Sequence, residues 1–289
     1  MQNITSNPEE QEFLVNGLKI SAKVWNKDAK IKAIALHGWL DNANSFDPLV
    51  PLLNDMTIVA LDSPGQGKSD FRSLDAAYLI WLEVGETMQV ADQLGWEDFV
   101  LIGHSRGAGI ASLIAGTFPD RVSHLVLLEG GIPLPMTPQE TPENLAKSIE
   151  ITQQLAEAKG TLFKTREEAI SARADGFTKI APQSAEIFAQ RSLYQESDGF
   201  RWHADPRLKA PSAFKLGDSQ IDAFLSRVTA KTLLVIGDDG IVGTMNFSNA
   251  HFEKIPTLKK LTLPGGHHMH MEGAEDAIAE EIQQLVLPA

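Results

Sequence analysis

Cysteine is absent from this 289-residue chain, which excludes disulfides and thiolate metal sites outright. No apolar run approaches the roughly 18 residues needed to cross a bilayer, so no membrane span is expected. Lys and Arg form no run, and the formal net charge is −13. Phosphate backbones and anionic membrane surfaces are therefore poor partners, and nucleic acid is not expected as one. No repeat of fixed period and no low-complexity tract occurs. The opening MQNITSNPEEQEF lacks the basic-then-apolar layout of a signal peptide, so the expected location is the cytoplasm.

What is present is a core. Apolar residues make up 43% of the chain, and the length suits a single large α/β domain. Six short apolar runs read as strands: KAIALHG (32–38), TIVALDS (57–63), FVLIGHS (99–105), SHLVLLEG (123–130), TLLVIGD (232–238) and LKKLTLPGG (258–266). Most are continuously apolar, as strands covered on both faces are. Residues 74–94 read as a helix that Gly95 ends, and 274–287 as a last helix with Ile278, Ile282, Leu285 and Val286 on one face. QEFLVNG and LKISAKVW resemble an antiparallel hairpin at the sheet edge. The alternation predicts an α/β fold with a doubly wound, mostly parallel sheet.

After Gly131 the pattern breaks. About 80 residues without a parallel-strand run are too many for a connecting loop. Residues 132–210 are expected to form an inserted helical cap over the sheet's C-terminal edge, between core segments 1–131 and 211–289. Thr165 and Glu168 are spaced as a capping box for one of its helices.

The strongest local motif is Gly103-His104-Ser105-Arg106-Gly107, a G-x-S-x-G between an apolar strand and a helix. In such a sharp turn, glycines two residues either side avoid collision with neighbouring backbone. Ser105 is then displayed at a helix N-terminus, where the dipole favours developing negative charge. The bland alternative is an idle serine in a small-residue turn. Gly67-Lys68-Ser69 mimics the end of a phosphate-binding loop, but the first glycine of that motif would fall at Asp62, so a nucleotide site is not expected.

With these residues the chain resembles the α/β-hydrolase superfamily. Leu36-His37-Gly38-Trp39-Leu40-Asp41 stands where family members carry an oxyanion-hole turn, and Asp62–Ser69 matches their D-x-P-G-x-G-x-S turn. LHGWLDNANSFDPLVPLL is similar to the serine hydrolase-like branch. The resemblance implies a base that follows a glycine after the last strand, with a glutamate five residues on; Gly266-His267 and Glu272 fit, whereas His268 and His270 do not. It also implies an oxyanion hole from the backbone N–H groups of Arg106 and Trp39. His268 and His270 could instead supply two ligands of a zinc site, but a third would have to be found elsewhere; their plainer reading is packing beneath the cap.

Trp39 and the cap residues Phe200-Arg201-Trp202-His203 are candidate pocket walls, with Trp202 and His203 as substrate contacts; simple packing of Trp39 and a hairpin seating the cap are the alternatives. The acid is where the chain departs from its relatives. The usual G-x-x-D position falls on Gly240, in Gly237-Asp238-Asp239-Gly240. Glu129 follows four apolar residues at the end of the preceding strand, where several haloalkane dehalogenases place their acid. An ionised carboxylate there needs a partner, and the His267 N–H would be one. Glu129 is the expected acid, Asp239 the runner-up, and Asp238 lies one residue further from the usual position. The implied activity is that of a carboxylesterase on small or medium-sized esters, without a cofactor or metal. Lactonase, thioesterase, C–C hydrolase, perhydrolase and ligand-binding roles stay open on the same fold.

Overall fold

The computed structural model describes residues 7–244 and 249–287. Of the opening segment considered above, residues 1–6 lie outside that description. The chain begins with β1 (Glu9–Val15) and β2 (Leu18–Trp25), joined through Asn16 and Gly17, both at positive φ, as a two-residue hairpin turn requires. β3 (Ile31–Leu36), β4 (Met56–Leu61), α1 (Ile80–Gln93), β5 (Phe99–His104), α2 (Arg106–Thr117) and β6 (Val122–Leu128) follow. Next come α3 (Thr141–Leu155), α4 (Arg166–Ala174), α5 (Pro182–Ser192), β7 (Leu193–Glu196) and β8 (Gly199–Trp202). The chain ends with α6 (Asp218–Leu225), β9 (Lys231–Gly237), the short α7 (Ile241–Thr244) and α8 (Asn249–Phe252), β10 (Leu258–Leu263) and α9 (Glu275–Val286).

Eight strands form one sheet in the order β1-β2-β4-β3-β5-β6-β9-β10. The β1–β2 and β2–β4 pairs are antiparallel, and every later pair is parallel. The continuous apolar runs have a physical cause. Ile34, Leu101, Leu125 and Leu234 pack into a core shared with α1, α2 and α6, while their neighbours Ala33, Val100, Val126 and Leu233 pack into a second core under α9. Each of these four strands, β3, β5, β6 and β9, feeds both cores, and its polar residues, such as Lys32, His104, His124 and Lys231, are confined to its ends.

Two boundaries differ from expectation. α1 starts at Ile80 rather than near residue 74. Tyr78 draws the preceding stretch into tertiary hydrogen bonds, accepting from Arg72 N at 3.0 Å and donating to Asp205 Oδ2 at 2.7 Å, which a helix there could not make. Gly95 does end α1, at φ +70°, with Trp96 N bonded to Ala91 O and Gly95 N to Asp92 O. The capping box at α4 is displaced: Thr165 Oγ1 accepts from Glu168 N, but Glu168 Oε2 accepts from Lys164 N rather than from Thr165.

The segment between β6 and α6 holds α3, α4 and α5, and also the antiparallel β7–β8 hairpin that a purely helical reading omits. Its anchors explain two of the sequence motifs. Asn42 Nδ2 donates to Phe188 O and Ser192 Oγ, and Asn44 Nδ2 to Ile187 O. Arg173 Nη2 reaches Asp41 Oδ1 at 2.6 Å, and Arg191 Nε reaches Asp62 Oδ2 at 2.8 Å. Asp62 also accepts from Lys68 N and Ala43 N. The DSPGQGKS turn therefore ties loops to the inserted segment.

Candidate active site

β5 runs into α2 with Ser105 between them at φ 52°, ψ −115°. The flanking glycines are sterically required: a Cβ on Gly103 would stand 2.5 Å from Ala108 Cα, and one on Gly107 would stand 2.2 Å from Leu36 O. The turn holds Ser105 Oγ 2.8 Å from His267 Nε2. His267 Nδ1 lies 3.2 Å from Glu129 Oε2. A carboxylate only accepts, so Nδ1 carries the proton and Nε2 is left to accept from the serine hydroxyl.

Glu129 is buried at the end of β6, at φ 46°. Burial alone would raise its pKa, but hydrogen bonds from His267 and from Gly237 N, at 2.8 Å to Oε1, hold it below the ordinary carboxylate value. Gly240 stands directly against this carboxylate: a Cβ there would meet Glu129 Oε1 at 2.3 Å and Oε2 at 2.4 Å. Asp238 and Asp239 are exposed and tie the loop after β9 to the one after β10, Asp238 Oδ1 accepting from Gly265 N and Asp239 N donating to Gly265 O, and neither side chain is bonded to His267. The structure thus brings Ser105, His267 and Glu129 together and leaves Asp239 and Asp238 outside.

Arg106 opens α2, and both guanidinium nitrogens of its fork bind the buried Glu83 carboxylate, an ion pair the sequence did not announce. Trp39 follows Gly38 in the other expected oxyanion loop, where Leu40 N donates to Gln66 Oε1 at 2.6 Å. Glu272 accepts from Ala181 N at 2.8 Å and so fastens the histidine loop to the start of α5.

The other histidines form a buried stack. His104 lies with its ring centroid 4.8 Å from His267, 4.9 Å from His268 and 4.2 Å from His270. His104 Nε2 donates to His267 O at 2.9 Å, His270 Nε2 meets Ser45 Oγ at 2.8 Å, and His268 Nε2 meets Asp41 Oδ2 at 3.2 Å. Burial pushes His104 down to about 4, despite the Asp41 carboxylate 3.4 Å from its Nδ1, and pushes His270 well below the ordinary imidazole value. Burial would raise Asp41, but His268, His104 and Arg173 together hold it well below its usual value. Asp41, His104 and His268 present three ligand atoms within 4.8 Å of one another, a set that could hold a metal ion. It differs from the expected pair: His270 turns to Ser45, and the charge of Asp41 is already met by Arg173.

Two cavities flank the site. One, of about 350 Å³, is lined by Ser105, His267, Glu129 and Arg106, with Ile80, Trp81 and Phe214 among its apolar walls. The other, of about 300 Å³, is lined by Trp39, Trp202, His203, Arg173 and Lys209. Trp39, Trp202 and His203 therefore line the neighbouring cavity rather than the one at Ser105. Their own contacts explain this: Trp39 Nε1 donates to Leu208 O, Trp202 Nε1 to Ala169 O, and His203 packs on Phe71 at 4.6 Å between ring centroids. Phe177 lines both cavities.

A family model described as the alpha/beta hydrolase fold matches residues 34–274. The chain belongs to the α/β-hydrolase family. Within it, the chain is similar to a serine hydrolase-like protein of Danio rerio, 30% identical over 93% of this chain and 86% of the relative. A serine hydrolase-like protein of Dictyostelium discoideum is 28% identical over 98% of this chain and 83% of the relative. These relatives place this α/β-hydrolase in the serine hydrolase-like branch. Among solved structures, a hypothetical protein of Pseudomonas aeruginosa is 34% identical and superposes with a TM-score of 0.89 over 96% of this chain and 97% of that one. No helix among the described residues of the α/β-hydrolase is long and apolar enough to cross a membrane.

Proposed function

We propose that this α/β-hydrolase is a carboxylesterase that cleaves small to medium-sized carboxylic esters through an acyl-enzyme on Ser105. One observation carries the reading: Ser105 Oγ, His267 and Glu129 are linked in a chain at 2.8 and 3.2 Å, with the imidazole oriented to accept the serine proton. His267 Nε2 takes that proton as Oγ attacks the ester carbonyl carbon. The oxyanion that forms is held by the backbone N–H groups of Arg106 and Trp39. Collapse expels the alcohol, which receives the proton from His267, and water then hydrolyses the acyl-serine by the same route. Glu129 fixes the imidazole tautomer and steadies the imidazolium; its contact with His267 favours it over Asp239. Residues 132–210 act as the cap that closes over this chemistry, and no cofactor takes part. The absence of cysteine supports residence in the cytoplasm.

Hydrolysis of p-nitrophenyl esters by wild type and by Ser105→Ala tests the proposal. Loss of nearly all turnover in a folded variant supports it, and undiminished turnover removes it.

A further inference from the structure

The cavity at Ser105 has a lopsided chemistry. Its walls come from segments far apart in sequence: Ile80 and Trp81 on α1, Ile132–Leu134 after β6, Phe214 and Leu216 before α6, and Ile241 and Val242 after β9. The charges beside Ser105 already have partners. Arg106 is held by Glu83, and Glu129 is bonded to His267 and Gly237 N; Lys215 is the remaining charged side chain in the lining. Neither Arg106 nor Glu129 is arranged to receive an anion, and the chain's net charge of −13 opposes one at longer range.

The apolar surface does not stop at the cavity. Trp81 is 38% exposed, Leu134 52%, Phe177 80% and Phe214 52%, and all four line the same cavity. Single exposed hydrophobics are ordinary, but four from separate segments converging on one opening mark a binding surface.

We infer that the substrate is an uncharged, lipophilic ester whose apolar chain runs from Ser105 along these walls to the rim formed by Trp81, Leu134, Phe177 and Phe214. The inference rests on the Ser105 chemistry proposed above and narrows its substrate class from small esters to those with an extended chain. The chain's methylenes leave water against side chains that are themselves exposed, so both surfaces gain from contact.

The test is a series of p-nitrophenyl esters from acetate to octanoate, with one of octanoate length ending in a carboxylate. Each buried methylene is expected to raise kcat/KM about fourfold, so octanoate should exceed acetate by about 4,000-fold when all six added methylenes are buried and by about 100-fold when about half are. The carboxylate-ended ester should fall well below octanoate. Phe214→Ser should lower the octanoate-to-acetate ratio about tenfold, whereas Leu74→Ser, exposed and outside both cavities, should leave it unchanged. A flat or falling series, with acetate hydrolysis still lost in Ser105→Ala, overturns this inference while sparing the esterase reading. If acetate hydrolysis survives Ser105→Ala, the esterase reading itself falls. Calorimetric binding to folded Ser105→Ala then decides the inference alone: methyl octanoate bound in preference to methyl propionate supports it, and no preference removes it. A change in sedimentation of Phe214→Ser without a change in chain-length preference would make the rim an interface between copies, and also overturns it.

Discussion

Glu129 occupies the space that a side chain at Gly240 would need, since a Cβ there would stand 2.3 Å from the Glu129 carboxyl carbon. The usual acid position and this one converge on the same point beside His267 from two different strands. Only one of them can carry a carboxylate.

The exclusion has a mutational signature. Gly240→Asp alone should destabilise the fold or inactivate it, because two carboxylates would compete for one buried space. Gly240 has no positive φ, so its backbone tolerates aspartate once the space is free. Glu129→Ala should lower kcat by about 10⁴, and Glu129→Ala with Gly240→Asp should recover roughly 100-fold of that loss. A double variant no better than Glu129→Ala, measured on folded protein, would contradict this.

The acid can also be tested without moving it. Glu129→Gln keeps the shape but presents an amide to the imidazole, and a loss of about 10⁴ in kcat is expected. Asp239→Asn should stay near wild type, because its side chain is exposed in the loop after β9. Steady-state kinetics of the pair would return the protein to the common arrangement if the losses were reversed.

The three histidines of the HHMH run should separate by kind of damage. His267→Ala is expected to lower kcat by several orders of magnitude with little change in Tm. His268→Ala takes the partner from Asp41 Oδ2 while Arg173 keeps Oδ1, and His270→Ala takes the imidazole from Ser45 Oγ, so each should cost stability, roughly 1–3 kcal/mol for an unsatisfied buried group, with far smaller loss of kcat. Thermal denaturation beside kinetics distinguishes them, and an inactive His268 variant beside an active His267 variant would reverse the assignment.

The buried imidazoles imply a defined acid sensitivity. His37, His104 and His270 are fully buried with pKa values lowered chiefly by burial, so they stay neutral in the fold while the unfolded chain protonates. Their contribution to stability is complete above the unfolded imidazole value of about 6.5 and declines as pH falls towards each folded value, about 4 for His104. His251 is raised instead, so its contribution is fully present throughout that window and is lost only as pH rises above it. Denaturant unfolding between pH 6.5 and pH 4.5 should show stability falling by up to roughly 1.4 kcal/mol per pH unit for His104, with His37 and His270 adding to the fall. Stability that is flat across this range would show that these rings are not held neutral.

Much of the architecture was legible because its causes are local or periodic. Strands such as β5 and β6 read clearly since alternate side chains enter two different cores. Ser105 read clearly because its elbow lies within five consecutive residues, and His267 because a glycine precedes it. Glu129 was legible through an anomaly, a carboxylate after four apolar residues combined with a glycine where an acid was due. What was not legible arises from tertiary convergence. The Ser105 cavity is walled by Trp81, Phe214 and Val242, which no local pattern connects. The aromatic character of Trp202 and His203 marks a cavity wall but cannot tell which cavity. The early end of the helical reading before Ile80 failed because the Tyr78 hydroxyl bonds Asp205, 127 residues away.

The central proposal is that Ser105 becomes acylated, and the most direct measurement is the mass of the protein after reaction with a fluorophosphonate, with the adduct mapped to a peptide. The expected result is one adduct on the peptide containing Ser105, absent in Ser105→Ala and slowed by several orders of magnitude in His267→Ala. An unlabelled Ser105 in folded wild-type protein, or an adduct on another residue that persists in Ser105→Ala, would contradict it.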